Sequence, residues 1–186
     1  MTGHSGSGEL LPLFISQKGA SRQTMTQTVL DKETFCAQVV RHQDALFRAA
    51  KAILRSDEDA EDAVQEAVCA AFAHRDTLRD AEKFKPWMLR ILTNKCYDCC
   101  RRRRPTVDLD DVADYLPAGG PEPEEALTLW QAVLALPRDL RAAVTLFYYD
   151  GLSVREIGSV LDISEAAVKT RLSRGRARLR LLLKET

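Results

Sequence analysis

The chain has 186 residues, 45% of them apolar, with 27 basic and 27 acidic side chains. That length holds one ordinary core or two small ones, the apolar fraction is that of a soluble globular protein, and no apolar run approaches the roughly 18 residues of a membrane span. Five cysteines, odd in number and without secretory spacing, exclude a disulfide scaffold and point to a reducing, cytoplasmic setting.

Residues 1–30 are rich in Gly, Ser and Thr, carry no sustained periodicity and read as a disordered lead. Their apolar run "LLPLFI" is too short for a signal peptide and has no basic segment before it. A second methionine, Met25, is an alternative translation start. From Phe35 to Leu54 apolar residues recur at helical spacing. Ser56 caps a second helix whose first turn is acidic, and Ala60, Val64, Ala67, Val68, Ala71 and Phe72 form its buried side. A third helix is predicted from Pro86, a residue suited to the first helical position, and it must stop before Pro105.

Residues 105–122 combine three prolines and paired glycines with acidic charge only, which is linker chemistry. Further helices are predicted over 123–136 and 138–149. Two more lie within "GLSVREIGSVLDISEAAVKTRLSRGRARLR", the first opened by a Ser153/Glu156 capping box and the second capped by Ser164. Their separation by three or four residues makes a helix-turn-helix, with Asp162 in the turn where Gly is common. The fold class is all-α: two small helical domains, 31–104 and 123–184, joined by a flexible acidic linker.

Charge is segregated along this plan. Lys83 to Arg104 holds eight bases and one acid, Pro105 to Thr128 seven acids and no base, and Ser164 to Arg180 six bases and one acid. Such blocks point to nucleic-acid contact at two places. With Val168 centred on the buried face of the last helix, Leu172, Gly175 and Leu179 fall beside it at about 100° per residue. Ala166, Thr170, Ser173 and Ala177 fall opposite, flanked by Lys169 and Arg174. Short side chains between basic rims suit a helix that reads base edges in a major groove.

"LPRDLRAAVTLFYYDGLSVREIGSVLDISEAAVKTRLSRGRARLR" resembles region four of bacterial sigma factors. "DEDAEDAVQEAVCAAF" with "FKPWMLRILTNKCYDCCRRRRP" resembles region two, and the pair resembles the extracytoplasmic-function group of the sigma-70 family over roughly residues 33–182. The resemblance implies a transcription initiation factor that needs no cofactor or metal. Asp62, Gln65 and Glu66 would then meet the clamp helices of the RNA polymerase largest subunit, and region four the flap of the second-largest. Lys83, Lys85, Asn94, Asp98, Arg101 and Arg102 would open and read the −10 element, with Phe84, Trp87 and Tyr97 nearby as stacking candidates. Ser164, Glu165, Ala166, Lys169, Thr170, Ser173 and Arg174 would read the −35 element. An anti-sigma factor is an expected partner.

Two other readings stand beside this one. Cys96 and Cys99 form a Cys-x-x-Cys, but late in a helix rather than at a helix start, and no second pair completes a zinc tetrahedron. With His4, His42 and His74 scattered, no catalytic constellation is in view. The stronger rival is a regulator that binds duplex DNA through the helix-turn-helix alone.

Overall fold

The computed structural model describes residues 30–103 and 129–184. The predicted lead apart from Leu30, which is 4% exposed and belongs to the core, and the acidic linker lie outside them, as does the first part of the helix predicted over 123–136. Helices α1 (Lys32–Leu54), α2 (Asp57–Ala73) and α3 (Phe84–Arg103) form the first unit, with two short 3-10 turns between α2 and α3. The second unit comprises α4 (Leu129–Leu134), α5 (Arg138–Val144), α6 (Val154–Leu161) and α7 (Glu165–Leu182). A π-helical turn, Thr145–Tyr149, continues α5. No strand occurs among the described residues.

Local chemistry fixes the helix ends. Asp31 caps α1, and its side chain accepts from the Thr34 N–H at 2.8 Å. Those bonds hold the Asp31 carboxyl below its usual range. Ser56 caps α2 by accepting from Asp59 N–H, and at α6 both halves of the Ser153/Glu156 box are formed. α3 begins two residues before Pro86. The first-turn N–H groups have no intrahelical acceptor, so proline fits there without loss, and Phe84, 1% exposed, packs edge-on to Phe35.

Around Phe35 and Phe84, the first unit packs Leu46, Ala50, Ile53, Ala60, Ala67, Met88, Leu89 and Leu92. In the second, Val133, Leu136, Val144, Leu146, Ile157, Val160 and Val168 do the same. The two groups belong to one continuous cluster, because α1 lies against α5 and α3 against α6. The join also carries polar groups. Arg55 donates to the Leu134 carbonyl at 2.9 Å, and the Thr93 hydroxyl to the Val160 carbonyl at 3.0 Å.

The helix-turn-helix is held by two tight positions. Asp162 ends α6 in the left-handed region, φ 55° and ψ 46°, which Asp tolerates better than most residues. At Gly158 a Cβ would lie 2.9 Å from the Ile163 carbonyl oxygen, part of the turn backbone. Gly158→Ala should therefore destabilise the chain by about 1–3 kcal/mol in urea unfolding, the scale of overpacking, despite the better helix propensity of Ala. A neutral or stabilising result would mean that the turn yields freely.

Candidate nucleic-acid and polymerase interfaces

α7 carries the face expected of a groove-reading helix. Val168 is fully buried, Leu172 and Gly175 are buried, and Leu179 is half-buried. Ser164, Glu165, Ala166, Lys169, Thr170, Ser173, Arg174 and Ala177 are all exposed. The Ser164 hydroxyl accepts from Ala167 N–H at 3.2 Å, which fixes where the helix starts. The Thr170 hydroxyl donates to the Ala166 carbonyl at 2.9 Å. With its hydroxyl engaged by the helix, Thr170 offers chiefly a methyl for apolar contact, the kind a thymine methyl accepts. Arg171 is engaged within the protein. Its guanidinium meets the Asp139 carboxylate at 2.8 Å and ties α7 to α5.

The predicted −10 residues are spread over the 3-10 turn and α3. Asp80 caps the turn Ala81–Lys83 by accepting from Glu82 N–H at 2.9 Å, and Lys83 is exposed. Asn94, Arg101 and Arg102 are exposed, and Arg101 pairs with Asp98 one turn back. Lys85 is half-buried and donates to the backbone carbonyl of Asp150 in the other unit.

Of the three stacking candidates, Phe84 is excluded because it sits in the core. Tyr97 is half-buried, its hydroxyl pushed up to about 12 by burial and secondarily by the Asp139 carboxylate, which places it toward the second unit. Trp87 is half-buried against Phe84, with ring centroids 5.9 Å apart, and lines a cleft with Lys83 and Arg90. Trp87 and Tyr97 both pack against the core while staying partly exposed, and of the two Trp87 is the one that borders this cleft.

On α2, Asp62, Gln65 and Glu66 are exposed, opposite the Ala60, Ala63, Ala67 and Ala71 face that meets the core. Glu66 lies 3.9 Å from the Lys95 ammonium on α3. Gln65 borders a different cleft, of about 750 Å³, between α1, α2 and the aromatic pair Trp130 and Tyr149.

Sequence reasoning missed the residues that join the units. Asp150 has a fully buried side chain whose Oδ1 accepts from Arg48 at 2.9 and 3.1 Å. Burial pushes its carboxyl up, and the Arg48 charge opposes that rise. Arg141, 1% exposed, donates to the carbonyls of Ala52, Leu134 and Leu136. Among the cysteines, Cys96 is buried, with a thiol pushed well up by that burial, and all five are free thiols. No group of three or more His, Cys, Asp or Glu side chains among the described residues is placed to hold a metal ion.

A capped helix-turn-helix with an exposed, basic-rimmed face, packed on a three-helix unit with an exposed basic helix of its own, defines an all-α protein of the helix-turn-helix class. The family model for sigma-70 region 2 matches residues 39–106, and that for sigma-70 region 4 matches 126–179. The chain is 34% identical over 171 residues to the ECF RNA polymerase sigma factor SigW of Bacillus subtilis, covering 83% of this chain and 91% of that one. It is 32% identical over 162 residues to the ECF RNA polymerase sigma-E factor of Escherichia coli K12, covering 78% and 84%. In structure it is similar to the sigma factor RpoE in complex with the anti-sigma factor NepR from Bartonella quintana, with TM-score 0.65, 26% identity and coverage of 82% and 98%. It is also similar to CnrH in complex with the cytosolic domain of CnrY, with TM-score 0.60, 30% identity and coverage of 83% and 90%. The chain belongs to the ECF sigma factors of the sigma-70 family, and it directs RNA polymerase to initiate transcription at specific promoters.

Proposed function

We propose that α7 reads the −35 element through Ser164, Glu165, Ala166, Lys169, Thr170, Ser173 and Arg174. The observation that carries this reading is the exposed face of α7, small and polar at its middle and basic at its rims. The exposed residues Lys83, Asn94, Arg101 and Arg102, with Asp98 and Lys85, contact the −10 element. Their cations serve the phosphates, and Trp87 is the aromatic placed to stack on an unpaired base. Asp62, Gln65 and Glu66 dock on the clamp helices of the polymerase largest subunit, and the second unit docks on the flap of the second-largest. The domains run over 31–104 and 123–184 with a linker at 105–122, and the protein acts in the cytoplasm. It works by binding and carries out no catalysis of its own. An anti-sigma factor holds it inactive, as NepR is bound to RpoE and the CnrY cytosolic domain to CnrH.

In vitro transcription with polymerase core on genomic fragments, with and without this chain, tests the reading. Promoter-specific transcripts should depend on both. Tight promoter binding without core would favour the rival reading of a stand-alone duplex-DNA regulator.

Within α7, Arg174→Ala should weaken binding about equally at all promoters and reduce the slope of log affinity against log salt by about 1. Thr170 or Lys169 substitutions should instead change the preferred −35 sequence, at about 1–3 kcal/mol per lost base contact. A panel of −35 variants measured at several salt concentrations separates the two. Uniform effects from every substitution would show the face to be wrongly assigned.

A further inference from the structure

The cleft of about 750 Å³ beside α2 is lined with apolar and aromatic surface. Phe47 comes from α1, Val64 from α2, and Trp130 and Tyr149 meet edge-on with ring centroids 5.2 Å apart. Both cations that line it are already engaged, Arg48 with Asp150 at 2.9 Å and Lys51 with Asp57 at 2.5 Å. Its other acids, Asp44 and Glu61, are exposed and have no cation partner among the described residues. A matching occupant is apolar in part and carries basic charge. The approach to the cleft is apolar too. Val40, 63% exposed, shares a face of α1 with Asp44, Phe47 and Lys51 at about 100° per residue, so it extends the cleft toward the start of that helix.

We propose that the N-terminal lead of this chain docks in the cleft. The run "LLPLFI", residues 10–15, lies against Phe47, Trp130 and Tyr149, and Lys18 and Arg22 face Asp44 and Glu61. Between residues 10 and 29 the lead holds those two bases and no acid, the sign the cleft calls for. The linker has the opposite sign, with seven acids and no base from Pro105 to Thr128. Reach is sufficient. The lead joins the start of α1, and Asp44 and Lys51 lie about 18 and 28 Å along that helix from Lys32. The roughly 15 residues from Ile15 to Leu30 span up to about 50 Å when extended. Docking within one chain also benefits from an effective concentration in roughly the millimolar range, so a weak contact suffices. Gln65 lines the same cleft, and the docked lead therefore competes with polymerase core for that flank of α2. This consequence rests on the assignment of Gln65 to the polymerase interface.

The test uses the full chain with Phe14 replaced by photoreactive benzoylphenylalanine. After irradiation without polymerase, mass spectrometry should place the cross-links within the monomer, on the α1 and α2 walls of the cleft or on Trp130 and Tyr149. A cross-linked dimer as the main product, or cross-links scattered outside the cleft, overturns the proposal. Asp44→Lys with Glu61→Lys should lower the yield about 3–10-fold, the scale of two exposed ion pairs turned repulsive. Adding Lys18→Glu and Arg22→Glu to that chain should restore it, which a merely damaged cleft would not allow. A yield indifferent to the reversal of Asp44 and Glu61 also overturns the proposal.

A second arm reads the consequence. Leu11→Asp with Phe14→Asp puts charge into the apolar run and should raise the affinity of the full chain for polymerase core about 3–10-fold, because the competent fraction rises. Unchanged affinity, when the cross-links do map to the cleft, would take Gln65 out of the polymerase interface and leave the docking in place. Unchanged affinity with no cross-link in the cleft overturns the docking itself. The two failures are distinguishable because the cross-link reads occupancy of the cleft in the absence of polymerase.

Discussion

Arg141→Met is expected to lower the free energy of unfolding by about 3–5 kcal/mol, well beyond what a typical single substitution removes. Arg141 is 1% exposed, and its guanidinium donates to the carbonyls of Ala52, Leu134 and Leu136. Met keeps an unbranched apolar stem and has no donor, so the change removes the hydrogen bonds while retaining the packing of the stem. Each buried acceptor left without its donor costs about 1–3 kcal/mol, and burial of the thioether returns part of that sum. Arg141→Lys should fall between the two, because one ammonium cannot present the planar fork that meets three carbonyls. Urea unfolding followed by circular dichroism measures both variants. A loss below about 1 kcal/mol for the Met variant would mean that water enters and satisfies the carbonyls.

The same arginine shows where the sequence stops being legible. The stripe of α7 was readable because Val168, Leu172, Gly175 and Leu179 share one face and the exposed positions are polar or small. The caps at Ser56, Ser153 and Ser164 were readable because capping depends on residues three apart. Asp162 in its left-handed conformation followed from the turn. All of that is local.

Arg141 instead lies among Ala142, Ala143 and Val144, and only its three-dimensional neighbours reveal that its charge is turned inward. Asp150 precedes Gly151 and looks like an ordinary turn acid, yet Arg48, 102 residues away, is its partner. Pairing across such a separation leaves no periodic trace in a single sequence. A partial signal existed in Arg141 itself, a cation where the turn-by-turn spacing from Val144 favours an apolar residue. The π turn at Thr145–Tyr149 likewise had no signature in "TLFYY", which continues the helical pattern. Phe84 was readable as aromatic but not as core, because its burial depends on Phe35 from α1.

The face of α2 gives the second large effect. Asp62→Arg with Glu66→Arg should reduce capture of polymerase core by at least about 100-fold while leaving the helical fold in place. Both side chains are exposed, one turn apart on α2, on the side away from Ala60, Ala63, Ala67 and Ala71. Exposed substitutions of this kind usually move stability by under about 0.5 kcal/mol. The nearest cation, Lys95, is 3.9 Å from Glu66 with both side chains partly in water, so little stability resides in that pair. Against a basic partner surface the reversal turns two attractions into repulsions, and like-charge juxtaposition at an interface costs several kcal/mol. Two controls locate the effect. Asp62→Asn with Glu66→Gln should lose less, since it removes attraction without adding repulsion. Arg174→Ala should retain core binding, because the role proposed for it lies on DNA. Co-purification of each variant with polymerase core, at two salt concentrations, gives the comparison. Undiminished capture by the reversed chain would take α2 out of the polymerase interface.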